Sequence, residues 1–181
     1  MPSSMHRLFV AIRPPEEIRD LLLDAMDDSA DFRWQADEQL HLTLRFVGEV
    51  ERPTADDLAA ELARIHSPPF DLRINATGRF EQRSSGALWA GVEPREPVAA
   101  LAAKVERACI AVGLEPERRA FHPHITLARW KGRRNHEVAR FLESTRDLAS
   151  EPFAVREFIL FESRLSRHGA HYEEVATFPL S

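Results

Sequence analysis

Two tetrapeptides, His41-Leu42-Thr43-Leu44 and His124-Ile125-Thr126-Leu127, read His-aliphatic-Thr-Leu and lie 83 positions apart (124 − 41). Side chains alternate between the two faces of a β-strand. As a strand, each tetrapeptide puts His and Thr on one face and both aliphatic residues on the other. The aliphatic pair can enter a core while His and Thr look away from it. Two such strands facing each other offer two imidazoles and two hydroxyls to one ligand. That geometry suits a phosphate held by hydroxyls between an acid and a base.

The rest of the chain supplies elements that can carry such a pair. Leu8, Val10 and Ile12 alternate with Phe9 and Ala11 in a first strand. Pro14-Pro15 then opens a helix with Glu16 and Glu17 in its first turn, where the dipole favours anions, and Asp27-Asp28-Ser29 ends it. Phe32–Trp34 reads as a short strand and Asp37-Glu38-Gln39 as a turn. His41–Val47 is a strand closed by Gly48. Thr54 and Asp57 resemble a capping box for a second helix. Phe70, Leu72, Ile74 and Ala76 alternate towards Phe80. Ser84-Ser85-Gly86 is a turn, and Ala87–Val92 pairs back as a hairpin. Pro97 opens a third helix, with Gly113 as its C-terminal cap. Val138, Phe141 and Leu142 mark a short fourth helix. Phe153–Glu162 and Tyr172–Phe178 are strands joined by Ser166-Arg167-His168-Gly169. Hairpins and helices mix in this order, which predicts an α+β fold with mainly antiparallel sheets in one compact domain over 1–181.

Charge and composition narrow the function. A net charge of −5 argues against coating nucleic acid by bulk electrostatics. Between Arg118 and His136, however, no acidic residue occurs, while Arg118, Arg119, Arg129, Lys131, Arg133 and Arg134 all fall inside. That cationic window is centred on the second His-x-Thr-Leu. The start, Met1 to Arg7, lacks an apolar h-region and a cleavage site, and the apolar runs are too short to span a membrane. A cytoplasmic location is expected. The single cysteine, Cys109, falls on the apolar stripe of a helix and reads as a buried thiol.

Two imidazoles titrate near neutrality and can divide the roles of general acid and base, each worth roughly 10²- to 10⁴-fold. Thr43 and Thr126 can donate to non-bridging phosphoryl oxygens, and Arg129 can add a charge-assisted contact. His122-x-His124 has no Cys or acidic neighbour in its motif to complete a metal site, so no metal is expected. No Gly-rich phosphate loop appears, which disfavours ATP use. Arg129 and Phe46 both sit five residues after a motif histidine, and strict alternation aims them away from the His–Thr face. Only a bulge or a strand end would return them to it. Phe9 carries the same ambiguity, while Trp89 and Trp130 read as packing residues.

With these motifs the chain resembles the 2H phosphoesterase superfamily, and more closely the RNA 2′,3′-cyclic phosphodiesterases also called 2′-5′ RNA ligases. Supporting stretches are Arg7–Ile12, His41–Glu49, Leu88-Trp89-Ala90-Gly91, Phe121–Arg129, Phe161–Leu165 and Tyr172. The resemblance implies a bilobal α+β fold, with two mainly antiparallel sheets flanked by helices around a central pseudo-twofold cleft. It also implies no cofactor, a monomer, and a substrate that is RNA or a nucleotide ending in a 2′,3′-cyclic phosphate. In the family scheme His124 would take a proton from the attacking water and His41 would protonate the departing 3′-oxygen, leaving a 2′-phosphate. Thr43 and Thr126 would hold the non-bridging oxygens, and reverse 2′-5′ ligation would be a weak second activity. Two other readings stay open on the residues: a non-catalytic binder of nucleotides or RNA ends, and a phosphodiesterase acting on 2′-5′ oligonucleotides.

Overall fold

A computed structural model describes residues 4–27 and 29–181, so Met1–Ser3 and Asp28, named above in the leader and helix-end readings, lie outside the described residues. Strand β1 (Met5–Ile12) leads to α1 (Glu16–Ala25), a two-residue strand β2 (Arg33–Trp34) and a 3₁₀ turn, Asp37–Gln39. Then come β3 (Leu42–Glu51), α2 (Arg52–Leu62), the hairpin β4 (Phe70–Gln82) and β5 (Ser85–Glu93), and α3 (Arg95–Ala111). The chain ends with β6 (His124–Lys131), α4 (Asn135–Ser144), β7 (Phe153–Val155), β8 (Glu157–Ser166) and β9 (Gly169–Pro179).

The α+β class is as expected, but the strands join in one sheet rather than two. Their order is β7-β4-β5-β6-β3-β1-β8-β9, with β2 alongside β6. The two halves meet where β3 pairs with β6 through Leu42 and Ile125. The sheet also curls. β7 pairs with β4 near one end of the order and β8 with β1 near the other, yet a single residue, Arg156, separates them. One residue spans only about 3.4 Å of extended chain, so the ends must approach each other.

All four helices pack on one face. Ile18 and Leu22 of α1, Leu58 and Leu62 of α2, six residues of α3, and Val138 and Phe141 of α4 are buried there, mostly in one core cluster with Leu42, Leu44, Ile125 and Leu127. Cys109 is in that core, where burial pushes its thiol up to about 11. The opposite, helix-free face carries a separate small cluster of Phe9, Ala11, Ile159 and Phe161, with Tyr172 packed against it.

Several element boundaries differ from the sequence reading, each for a local reason. Gly48 does not end β3. It takes φ +85° at a bulge, where Leu8 pairs with Gly48 but Phe9 pairs with Phe46, and the strand runs on to Glu51. Helix α2 starts at Arg52 with Pro53 in its first turn, so the Thr54–Asp57 capping box is not formed. Likewise α3 starts at Arg95 after Pro94, and Pro97 lies inside its first turn. The β4–β5 turn is Arg83-Ser84, one residue earlier at its start than expected, and Gly86 sits in β5. It must be glycine because a Cβ there would overlap the Trp130 indole. Phe153–Glu162 divides into β7 and β8, since its first part joins β4 and its second joins β1. Gly113 does cap α3, with φ +94° and amide bonds from Gly113 to the Ile110 carbonyl and from Leu114 to the Cys109 carbonyl.

Candidate functional site

Leu42 and Ile125 pair at the seam between the halves, with side chains 1% and 0% exposed. Burying each stabilises the fold by roughly 1.5–3 kcal/mol. Because side chains alternate, this forces His41, Thr43, His124 and Thr126 onto the helix-free face, where all four are half-buried. Carrying the antiparallel register one residue either way sets His41 against Thr126 and Thr43 against His124. Directly opposed residues have Cβ atoms about 4.5–5.5 Å apart. The seam thus gathers both motifs at one point, each histidine beside the other motif's threonine.

Each imidazole is locked in the same way. His41 Nδ1 lies 2.7 Å from the carbonyl of Gln39, and His124 Nδ1 lies 2.6 Å from that of His122. A carbonyl only accepts, so Nδ1 must carry the proton in both rings, and both Nε2 atoms remain available for chemistry. In both cases the accepting carbonyl belongs to the residue two before the histidine.

Burial pushes His41 down to about 4 from an ordinary 6.5; the Gln39 carbonyl opposes this, while Arg13, His124 and Arg129 add to it. His124 is also lowered, first by burial, then by His122 and Arg129, against the pull of the His122 carbonyl. Both rings are therefore neutral near pH 7. The burial around His41 is aromatic: Phe9 lies 4.8 Å away centre to centre, Tyr172 5.4 Å and Phe161 6.4 Å. Around His124 stand Phe80 at 4.9 Å and Trp89 at 6.3 Å.

A pair of bulges resolves the positions that alternation left open. Val10 pairs with Arg45 but Ala11 pairs with Thr43, which leaves Leu44 extra. Leu88 pairs with Ala128 but Trp89 pairs with Thr126, which leaves Leu127 extra. Both motif leucines sit at bulges, and each is followed by a second buried residue, Arg45 or Ala128. The shift of parity returns Phe46 and Arg129 to the helix-free face, where both are exposed. Phe46 is 52% exposed and lies 6.2 Å from Phe9, so it is not a core residue. Arg129 is close enough to act electrostatically on His41, His124 and Tyr172.

Sequence reasoning missed the supports. Arg13 Nη1 donates to the carbonyls of Asp37, Glu38 and Leu40, gathering the 3₁₀ turn that presents the Gln39 carbonyl to His41. The Gln39 side chain donates to the Ala170 carbonyl and accepts from the Ala36 amide, tying that turn to β9. Buried Arg45 holds Glu106 of α3 through two bonds of 2.8 and 3.2 Å and donates to the carbonyls of Phe46 and Glu115. Only the double proline before α1 and the acidic turn hint at the first of these in the sequence. Of the tryptophans, Trp130 is in the core as expected. Trp89 instead lies half-buried on the helix-free face across Gly78, whose missing side chain leaves room for the indole. His122 lies 5.7 Å from His124 between ring centres, and among the described residues no three His, Cys, Asp or Glu side chains gather as a metal site. Nor is any described helix long and apolar enough to cross a membrane.

A family model described as the 2'-5' RNA ligase superfamily matches residues 10–167, which include both motifs. The chain belongs to this superfamily. Among its relatives is an RNA 2',3'-cyclic phosphodiesterase of Geobacillus stearothermophilus, 33% identical over 95% of this chain, of whose own length the chain spans 56%. Another of that name, from Aeropyrum pernix, is 34% identical over 76% of this chain and 80% of its own. The superfamily fold extends to E. coli LigT in apo form, with a TM-score of 0.82, 29% identity and 99% of both chains covered. LigT complexed with 3'-AMP gives the same TM-score at 27% identity, covering 98% of this chain and 99% of that one.

Proposed function

We propose that this superfamily member hydrolyses the 2′,3′-cyclic phosphate at an RNA end to a 2′-phosphate, without a metal, using His41 and His124 as the acid–base pair. The observation that carries the reading is the matched locking of the two imidazoles on one face, each with Nδ1 bonded to a carbonyl and Nε2 left available. Relatives named RNA 2',3'-cyclic phosphodiesterase and the LigT complex with 3'-AMP support the substrate class.

His124 Nε2 takes a proton from water as the water oxygen bonds to phosphorus. The P–O3′ bond breaks, and the 3′-oxygen takes its proton from His41 Nε2. Thr43 and Thr126 donate to the non-bridging oxygens while charge builds on them, and Arg129 adds a full positive charge nearby. His41 must therefore enter the cycle protonated. The phosphate anion supplies the driving force, since a negative charge close to the ring raises its pKa and offsets Arg13 and Arg129. His124 then returns its proton to solvent. With a 5′-hydroxyl in place of water, the same steps join two RNA ends by a 2′-5′ bond.

The deeper depression of His41 favours a second reading in which His41 is the base and His124 the acid. The pH profiles of the single variants separate the two. Loss of the general base removes the acidic limb of kcat/KM, and loss of the general acid removes the alkaline limb. His124→Ala should therefore leave a residual activity without an acidic limb. If His41→Ala does so instead, the roles are reversed, and turnover near the wild-type rate in either variant refutes both readings.

A further inference from the structure

The helix-free face continues beyond the histidines as three rows across the sheet. Residues paired directly in an antiparallel ladder share a face, as do residues two apart on one strand. The first row is Gly78, Trp89 and Thr126. The next is Phe80, Ala87, Arg129 and, through β2, Arg33. The third is Gln82, Ser85 and Lys131. Arg33, Arg129 and Lys131 are exposed, no acidic residue stands in these rows, and none of the three cations has an ion pair among the described residues. Arg129 acts on both histidines, so the other two lie outward from the reacting phosphate. Lys131 is about 7 Å further along β6, and Arg33 about 5 Å to the side of Arg129.

In the other half the next row outward pairs the cation Arg7 with Glu49, so no purely cationic track forms there. Phe46 stands where Arg129 does, and its row runs on through Phe9 to Phe161. Aromatic rings thus flank both histidines, while a cationic track without acidic partners leads away along β6 only. A cyclic mononucleotide has a single phosphate, which the motifs and Arg129 already satisfy. An RNA chain brings another, the phosphodiester on the 5′ side of its terminal nucleotide.

Building on the proposed cyclic phosphodiesterase activity, we propose that Arg33 and Lys131 bind that second phosphate and make the enzyme prefer oligonucleotide ends to cyclic mononucleotides. A single-strand phosphate contact contributes about 0.7 to the slope of log affinity against log salt, or about fivefold at 0.1 M relative to 1 M salt. Arg33 and Lys131 share one phosphate, so together they give about this fivefold. The test compares adenosine 2′,3′-cyclic monophosphate with a trinucleotide ending in 2′,3′-cyclic phosphate, using wild type and Arg33→Gln/Lys131→Gln. The double variant should lose about fivefold in kcat/KM on the trinucleotide in 0.1 M salt, with the salt slope lowered by about 0.7. Its turnover of the mononucleotide should stay within about twofold. Equal loss on both substrates, or loss on neither, overturns the proposal while leaving the hydrolase reading intact. If wild type turns over neither substrate, the hydrolase reading falls and takes this proposal with it.

Discussion

Tyr172→Ala should raise the pKa of His41 and move the pH dependence of catalysis with it. Three aromatic rings, from Phe9, Phe161 and Tyr172, cover the His41 imidazole, and burial is the largest cause of its fall to about 4. From 6.5, that fall is roughly 3.4 kcal/mol against the imidazolium, at about 1.36 kcal/mol per pH unit. If the rings share the effect evenly, opening one side to water returns about a third of it, placing the variant's His41 near pH 5. Tyr172 is the ring to remove, because it is half-buried on β9, whereas truncating buried Phe9 would cost roughly 3–5 kcal/mol of stability. Imidazole NMR titration of both proteins reads the value directly. The sign also appears in stability. A histidine with a depressed folded pKa binds more protons unfolded, so the wild type loses stability as pH falls from 6.5 towards 4, and the variant should lose less of it. An unchanged His41 pKa in Tyr172→Ala, together with a large rise in Arg129→Gln, would refute burial as the cause and assign the shift to nearby cations.

Three other outcomes follow from the geometry. His41→Ala and His124→Ala should each lose at least about 100-fold in kcat with an unchanged thermal melt, and Thr43→Ala and Thr126→Ala should lose less, measured by steady-state hydrolysis. Arg13→Met should lower kcat between about 10- and 100-fold with KM little changed, because it frees the 3₁₀ turn whose Gln39 carbonyl orients His41; partial rescue by Arg13→Lys would separate positioning from loss of fold. Gly86→Ala should lower the melting temperature by overpacking against Trp130, at roughly 1–3 kcal/mol, and a melt equal to wild type would contradict the close approach there.

The strand motifs, the hairpins and the helix stripes were legible because each depends on local periodicity. The face of each motif was legible too: a His-aliphatic-Thr-Leu strand with a buried aliphatic face can show its His and Thr on only one side. The single nine-stranded sheet was not, since joining β3 to β6 rests on one pair, Leu42 with Ile125, between residues 83 positions apart (125 − 42). Phe46 and Arg129 stayed undecided because bulges at Leu44 and Leu127 change strand parity without any glycine or proline to mark them. Gly48 was misread for the complementary reason: a glycine that suits a turn also suits a bulge. Arg13 and Gln39 were invisible because their partners are backbone carbonyls, which leave no trace in side-chain pattern.

The central claim is that two carbonyl-locked histidines, one as base and one as acid, run metal-free hydrolysis of an RNA 2′,3′-cyclic phosphate. The most direct measurement is ³¹P NMR of a short RNA carrying that end, incubated with the enzyme in EDTA. The account predicts complete conversion to a terminal 2′-phosphate, at a rate unaffected by the chelator. A 3′-phosphate product, or turnover abolished by EDTA, would contradict it.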